Sequence, residues 1–148
     1  MDTSLTRTIV VGIDGSPEGA RALTYAMDEA KRRDMKLLLV HGVEVGAVGA
    51  SPYGGGMVLE QLEEAGKGIL DDAATQVRAA GLEVDCRMEV GSAAHAIIEA
   101  SRQADLVVVG SRGHGGFVGM LLGSVSNACT HHAHCPVVVV RPEEHKAA

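Results

Sequence analysis

The densest chemical signal in the chain is Gly110-Ser111-Arg112-Gly113-His114-Gly115-Gly116, followed by Phe117 to Leu122 and then Gly123-Ser124. Glycines in such a run reach positive φ and leave backbone N–H groups able to converge on an anion. A helix opening at Ser124 adds unsatisfied amide donors and the positive end of its dipole, both of which favour phosphate. The competing reading is a plain flexible connection from strand to helix. The run follows a central-type strand, where open α/β sheets bind their ligands, and this favours phosphate. Arg112 either pairs with phosphate oxygens or is a loop charge in solvent.

Asp14 ends the first apolar run, Thr8–Ile13, and would lie in the same crevice. Near phosphate a carboxylate repels unless it faces a hydroxyl or a cation. One Asp is enough for Mg²⁺ when phosphates supply the other ligands. The alternative is an Asx-turn in Asp14-Gly15-Ser16 that caps a helix. The segment Cys129-Thr130-His131-His132-Ala133-His134-Cys135 has the ligand types of zinc. Helical spacing, however, turns Cys129 and His132 to the core and His131 away, so a plain helix-to-strand connection is the preferred reading. Other chemistries lack their motifs. There is no GxxxxGK[ST], no GxGxxG after the first strand, no second acid beside Asp14 and no placed nucleophilic triad.

The elements that must position these groups follow from periodicity. Strands are expected at Thr8–Ile13, Lys36–His41, Glu83–Val90, Leu106–Gly110 and Val137–Arg141. The third alternates, with Val84, Cys86, Met88 and Val90 on one face, and reads as an edge. Between them lie four helices. Ser16 caps the first and Pro17 opens it, with Ala20, Leu23, Met27 and Ala30 as its inner stripe. The second runs from Val58 to Ala80, with Leu62, Ile69, Ala73 and Val77 inward and Gly81 as C-cap. The third follows Ser92 and carries Ala94, Ile97, Ile98 and Ser101. The fourth starts near Ser124. Alternating strands and helices predict a doubly wound five-stranded parallel α/β sheet with helices on both faces. Residues 46–57 form a Gly-rich loop that either closes over a ligand or is a disordered excursion.

Composition narrows the partners. The chain has 148 residues, a net charge of −6, one Phe, two Tyr and no Trp. It lacks the basic footprint and aromatic platforms of nucleic-acid binding, and no polybasic stretch draws it to a membrane. No apolar run nears the ~18 residues of a transmembrane helix, and Met1–Arg7 does not read as a signal peptide. A cytoplasmic location is expected. Three cysteines at no framework spacing are expected to be reduced thiols.

Gly110, two residues, Gly113, nine residues, Gly123-Ser124 is the spacing at which the chain resembles the universal stress protein domain, whose ATP-binding branch carries G-x2-G-x9-G-[S/T]. The resemblance spans nearly the whole chain, 1–148 as one domain, with 142–148 a flexible tail. It includes Val10-Val11-Gly12-Ile13-Asp14-Gly15-Ser16, the Gly91 turn and Cys135-Pro136-Val137-Val138-Val139-Val140. It implies the Rossmann-like strand order 3-2-1-4-5. It implies that Gly110, Gly113, Gly123 and Ser124 hold the triphosphate of ATP, with Arg112, Val125 and Ser126 beside them. Asp14 would face the ribose and Mg²⁺ or Mn²⁺. The backbone at Gly42 would meet adenine, with Ile13 and Val109 completing the cofactor set. His114 stands where relatives often carry a basic residue, which weakens the cationic character of the site. Family members commonly form homodimers through the last strand, here Val137–Arg141. The implied function is a nucleotide-dependent stress-response or regulatory module with little or no turnover. A slow ATPase or phosphotransferase, and a dimeric scaffold without nucleotide, are the alternatives. Cyclic AMP is a possible alternative ligand.

Overall fold

A computed structural model describes residues 7–44, 55–112 and 122–143. Gly113, His114, residues 46–54 of the Gly-rich loop and residues 144–148 of the tail lie outside the described residues.

Among the described residues nine elements alternate: β1 (Thr8–Gly12), α1 (Pro17–Arg33), β2 (Lys36–Val43), α2 (Gly55–Ala79), β3 (Val84–Val90), α3 (Ala93–Ser101), β4 (Leu106–Gly110), α4 (Ser124–His132) and β5 (Val137–Val140). All strand pairs are parallel, in the order β3-β2-β1-β4-β5. This is the expected doubly wound sheet. The winding reverses between β1 and β4, so the crevice opens at their carboxyl ends.

The expected caps form. Ser16 Oγ accepts the Gly19 amide at 3.0 Å and Pro17 opens α1. Ser92 Oγ accepts the His95 amide at 3.1 Å at the head of α3. Gly81 follows α2 at φ 81°, the left-handed conformation that a C-terminal cap requires.

Two apolar layers hold the sheet. Ile9, Val11, Leu37, Leu39 and Val108 pack under α1 and α2 with Leu23, Leu70 and Val77. Val10, Val40, Val107 and Val109 pack under α3 and α4 with Ala96, Ile97 and Cys129. Burial pushes the Cys129 thiol up to about 11, so this sulfur is an inert core group.

The differences from expectation lie in helix rotation and element ends. Of the expected inner stripe of α1, Leu23 and Ala30 are buried and Met27 is half-buried, but Ala20 is exposed, and Gly19, Ala22 and Ala26 are buried beside them. Small residues face the sheet most directly because they allow the helix axis to approach it. His132 is also exposed, and α4 buries Ser126 and Cys129. Each step of three residues falls about 60° short of a full turn, so the line through 126 and 129 has left the core by 132. Helix α2 begins at Gly55, inside the segment expected as loop, and β2 continues past His41 to Val43. No helix among the described residues is long and apolar enough to cross a membrane.

Candidate functional site

The carboxyl ends of β1 and β4 meet the heads of two helices. At β1, the Ile13 amide donates to the Val40 carbonyl at 2.9 Å. The Ile13 carbonyl lies 2.7 Å from His41 Nδ1, which fixes that nitrogen as the protonated donor. The turn that follows is therefore anchored to β2 on both sides of its first residue. Asp14 then accepts the Ser16 amide at 2.9 Å and the Ser16 hydroxyl through the same oxygen, Oδ1. Gly15 between them has φ 80°. This is an Asx-turn that passes directly into the Ser16 cap of α1. The turn reading of Asp14 thus holds, and it leaves the carboxylate at the mouth of the crevice.

At β4, the connection to α4 is drawn closed at its base. The Ser111 carbonyl accepts both the Gly123 amide, at 2.6 Å, and the Ser126 hydroxyl, at 2.7 Å. The Ser111 amide donates to Val140 on β5 at 2.8 Å. Ser126 is buried and also lies 3.2 Å from the Gly123 carbonyl, so its hydroxyl is engaged within the fold. Gly123 is the N-cap of α4 and supplies no side-chain cap. The amides of Ser124 and Val125 have no acceptor among the described residues, as the opening turn of a helix dictates. Ser111 is 2% exposed, and its hydroxyl is buried without a hydrogen-bond partner among the described residues. Buried hydroxyls nearly always have a partner, so this atom points to a missing one.

The glycines have packing reasons of their own. A Cβ on Gly110 would lie 2.9 Å from Glu18 Cβ and 3.0 Å from the Glu18 carbonyl carbon. Its absence lets the first turn of α1 cross the end of β4. A Cβ on Gly42 would lie 2.6 Å from Ala93 Cα and 2.7 Å from Ala93 N, so this glycine seats the head of α3. Ile13 and Val109, expected beside the cofactor, bury their side chains in opposite apolar layers and can offer only backbone.

Arg112 is held by a partner that the sequence reading missed. Its Nη2 lies 3.5 Å from Glu18 Oε2. In the sequence, Glu18 is one of several charges on α1, and only the crossing at Gly110 brings it to Arg112. His41 was missed for the same reason. The structure therefore gathers Asp14, Gly110, Ser111, Arg112, Gly123, Ser124 and Val125 around the β1–β4 crevice. Gly42 sits one strand away, at the end of β2. Among the described residues, no three His, Cys, Asp or Glu side chains gather as a metal cluster.

Together these features define a class: a doubly wound α/β domain with an uncapped helix head after β4 and a carboxylate after β1, the two strands at which the winding reverses. The Universal stress protein family profile matches residues 6–141, and the chain belongs to that family. It is 43% identical over 137 residues to a universal stress protein of Mycolicibacterium smegmatis, covering 90% of this chain and 45% of that one. The chain spans about half the length of the curated relatives it matches. Among solved structures it is similar to a universal stress protein in complex with cAMP, at 29% identity and TM-score 0.67, covering 92% of this chain and 97% of that one. It is also similar to the universal stress protein of Archaeoglobus fulgidus in complex with dAMP, at 26% identity and TM-score 0.68, covering 92% and 98%.

Proposed function

We propose that this domain is a nucleotide-binding module of the ATP-binding branch, holding ATP with Mg²⁺ or Mn²⁺ and turning it over little or not at all. The observation that carries the reading is the head of α4. Its uncapped Ser124 and Val125 amides are held at the end of β4 by the two hydrogen bonds that the Ser111 carbonyl accepts, from the Gly123 amide and the Ser126 hydroxyl. Phosphate supplies the acceptors those amides lack, and the unpartnered Ser111 hydroxyl fits an anion or its water at the same place. Gly110, Gly113, Gly123 and Ser124 would hold the phosphates, with Arg112 as their cation. Asp14 would hold the metal or the ribose, and the metal would offset the repulsion between carboxylate and phosphate. The Gly42 backbone would border the adenine. The adenine nucleotides of the two related structures support the ligand class. In this reading the bound nucleotide alters a homodimer built through β5, or a protein partner, in a cytoplasmic regulatory or stress response.

The test is a thermal melt with ATP and Mg²⁺, AMP, cyclic AMP, GTP and no ligand. Ligand at about 100 times its dissociation constant adds roughly 2.7 kcal/mol, a shift of several degrees. ATP with Mg²⁺ should give the largest shift, and Gly113→Val should remove it. A larger shift with cyclic AMP would transfer the site to that ligand. No shift with any nucleotide would leave a scaffold.

A further inference from the structure

We infer that Glu18 is an internal competitor for Arg112, a carboxylate that occupies the phosphate-site cation in the ligand-free domain and so sets how strongly nucleotide charge is rewarded. The inference rests on the nucleotide reading above and deepens it. Three observations carry it. The Glu18–Arg112 pair spans 3.5 Å and is partly shielded, the side chains being 16% and 26% exposed. The missing Cβ at Gly110 brings the Glu18 backbone and Cβ within about 3 Å of β4, so the pair is fixed by the crossing of α1 over the strand. The neighbouring α1 cation, Arg21, is engaged elsewhere, its Nε donating to the Arg141 carbonyl at 3.0 Å.

Glu18 thus stands beside Arg112, the one Lys or Arg in the sequence between Gly110 and Ser124. A phosphate monoester carries about −1.5 to −2 charges and three strong acceptor oxygens, and it matches the flat guanidinium fork better than one carboxylate does. Phosphate therefore displaces Glu18 from Arg112. A nucleoside without phosphate neither needs Arg112 nor disturbs the pair. Glu18 is then a specificity-determining residue that lowers affinity for phosphorylated ligands and leaves adenosine binding unchanged.

The experiment is a double-mutant cycle on the purified chain, with AMP, ATP with Mg²⁺ and adenosine as probes in titration calorimetry. Glu18→Gln keeps the side chain's size and removes its charge. It should tighten AMP and ATP by about two- to fivefold, the range for releasing a partly exposed ion pair, and leave adenosine unchanged. Arg112→Gln should weaken AMP and ATP. In the Arg112→Gln background, Glu18→Gln should change nothing further. Equal tightening with and without Arg112 would overturn competition in favour of a general charge effect. Unchanged or weaker AMP binding in Glu18→Gln alone, with its ligand-free melting temperature near that of wild type, would overturn it as well. If the wild-type chain bound neither AMP nor ATP, the nucleotide reading would fall first and this inference with it.

Discussion

Several residues proposed for the nucleotide site also hold the fold together, and the structural contacts are what fix their position. Ser126 closes the base of the β4–α4 connection with its hydroxyl, and Asp14 shapes the turn that starts α1. Gly42 is the sharpest case. The family resemblance assigns its backbone to the adenine edge, while the contact that forbids a side chain there comes from the first residue of α3. The obstructing atoms are Ala93 Cα and N, which are backbone and cannot rotate aside. Gly42→Ala should therefore push α3 off β2 and destabilise the domain by about 1–3 kcal/mol. A melt should show a drop of roughly 3–10 °C. An unchanged melting temperature would mean that α3 does not approach β2 this closely in solution. If the variant folds, its nucleotide affinity separates the packing role from any ligand role.

At the scale of elements, local signals were enough wherever the information is local. The run Leu106–Gly110 is β4 to the residue, and Ser16, Gly81 and Ser92 cap the helices as their positions require. What the sequence could not show is long-range. The Glu18–Arg112 pair, the His41–Ile13 bond and the Gly42–Ala93 contact join residues that meet only once strand order and register are set. Helix rotation failed at Ala20 for a related reason. Periodicity marks a stripe but not which edge of it lies nearest the sheet. The end of α1 was also hidden. Asp34 sits there at φ 55°, and its amide donates to the Ala30 carbonyl. This left-handed position costs any residue with a Cβ, less for Asp than for most, and glycine adopts it freely. Asp34→Gly should keep the cap and raise stability by about 0.5–1 kcal/mol, seen as a melting temperature higher by a few degrees. A lower one would show that the Asp34 side chain holds the cap.

Across the whole molecule, the two edges of the sheet differ. At one edge, β3 presents Asp85, Arg87 and Glu89 on one face, and charges of this kind discourage strand addition. At the other, β5 is four valines that stay half-buried, with no charge along the strand. The direction of its backbone can be read from its bonds to β4. The Pro136 and Val140 carbonyls accept amides from Val107 and Ser111, so alternation turns the amides of Val137 and Val139 outward. An uncharged edge with outward amides is the surface through which we propose the homodimer forms. Val139→Pro removes one outward donor and leaves the β4 ladder intact, since proline is tolerated where the missing N–H faces away from the sheet. If β5 carries the interface, this variant should keep its circular dichroism and most of its melting temperature yet elute as a monomer in size-exclusion chromatography with light scattering. A dimer that survives Val139→Pro would place the interface elsewhere. A monomeric wild-type chain would overturn the proposed homodimer outright.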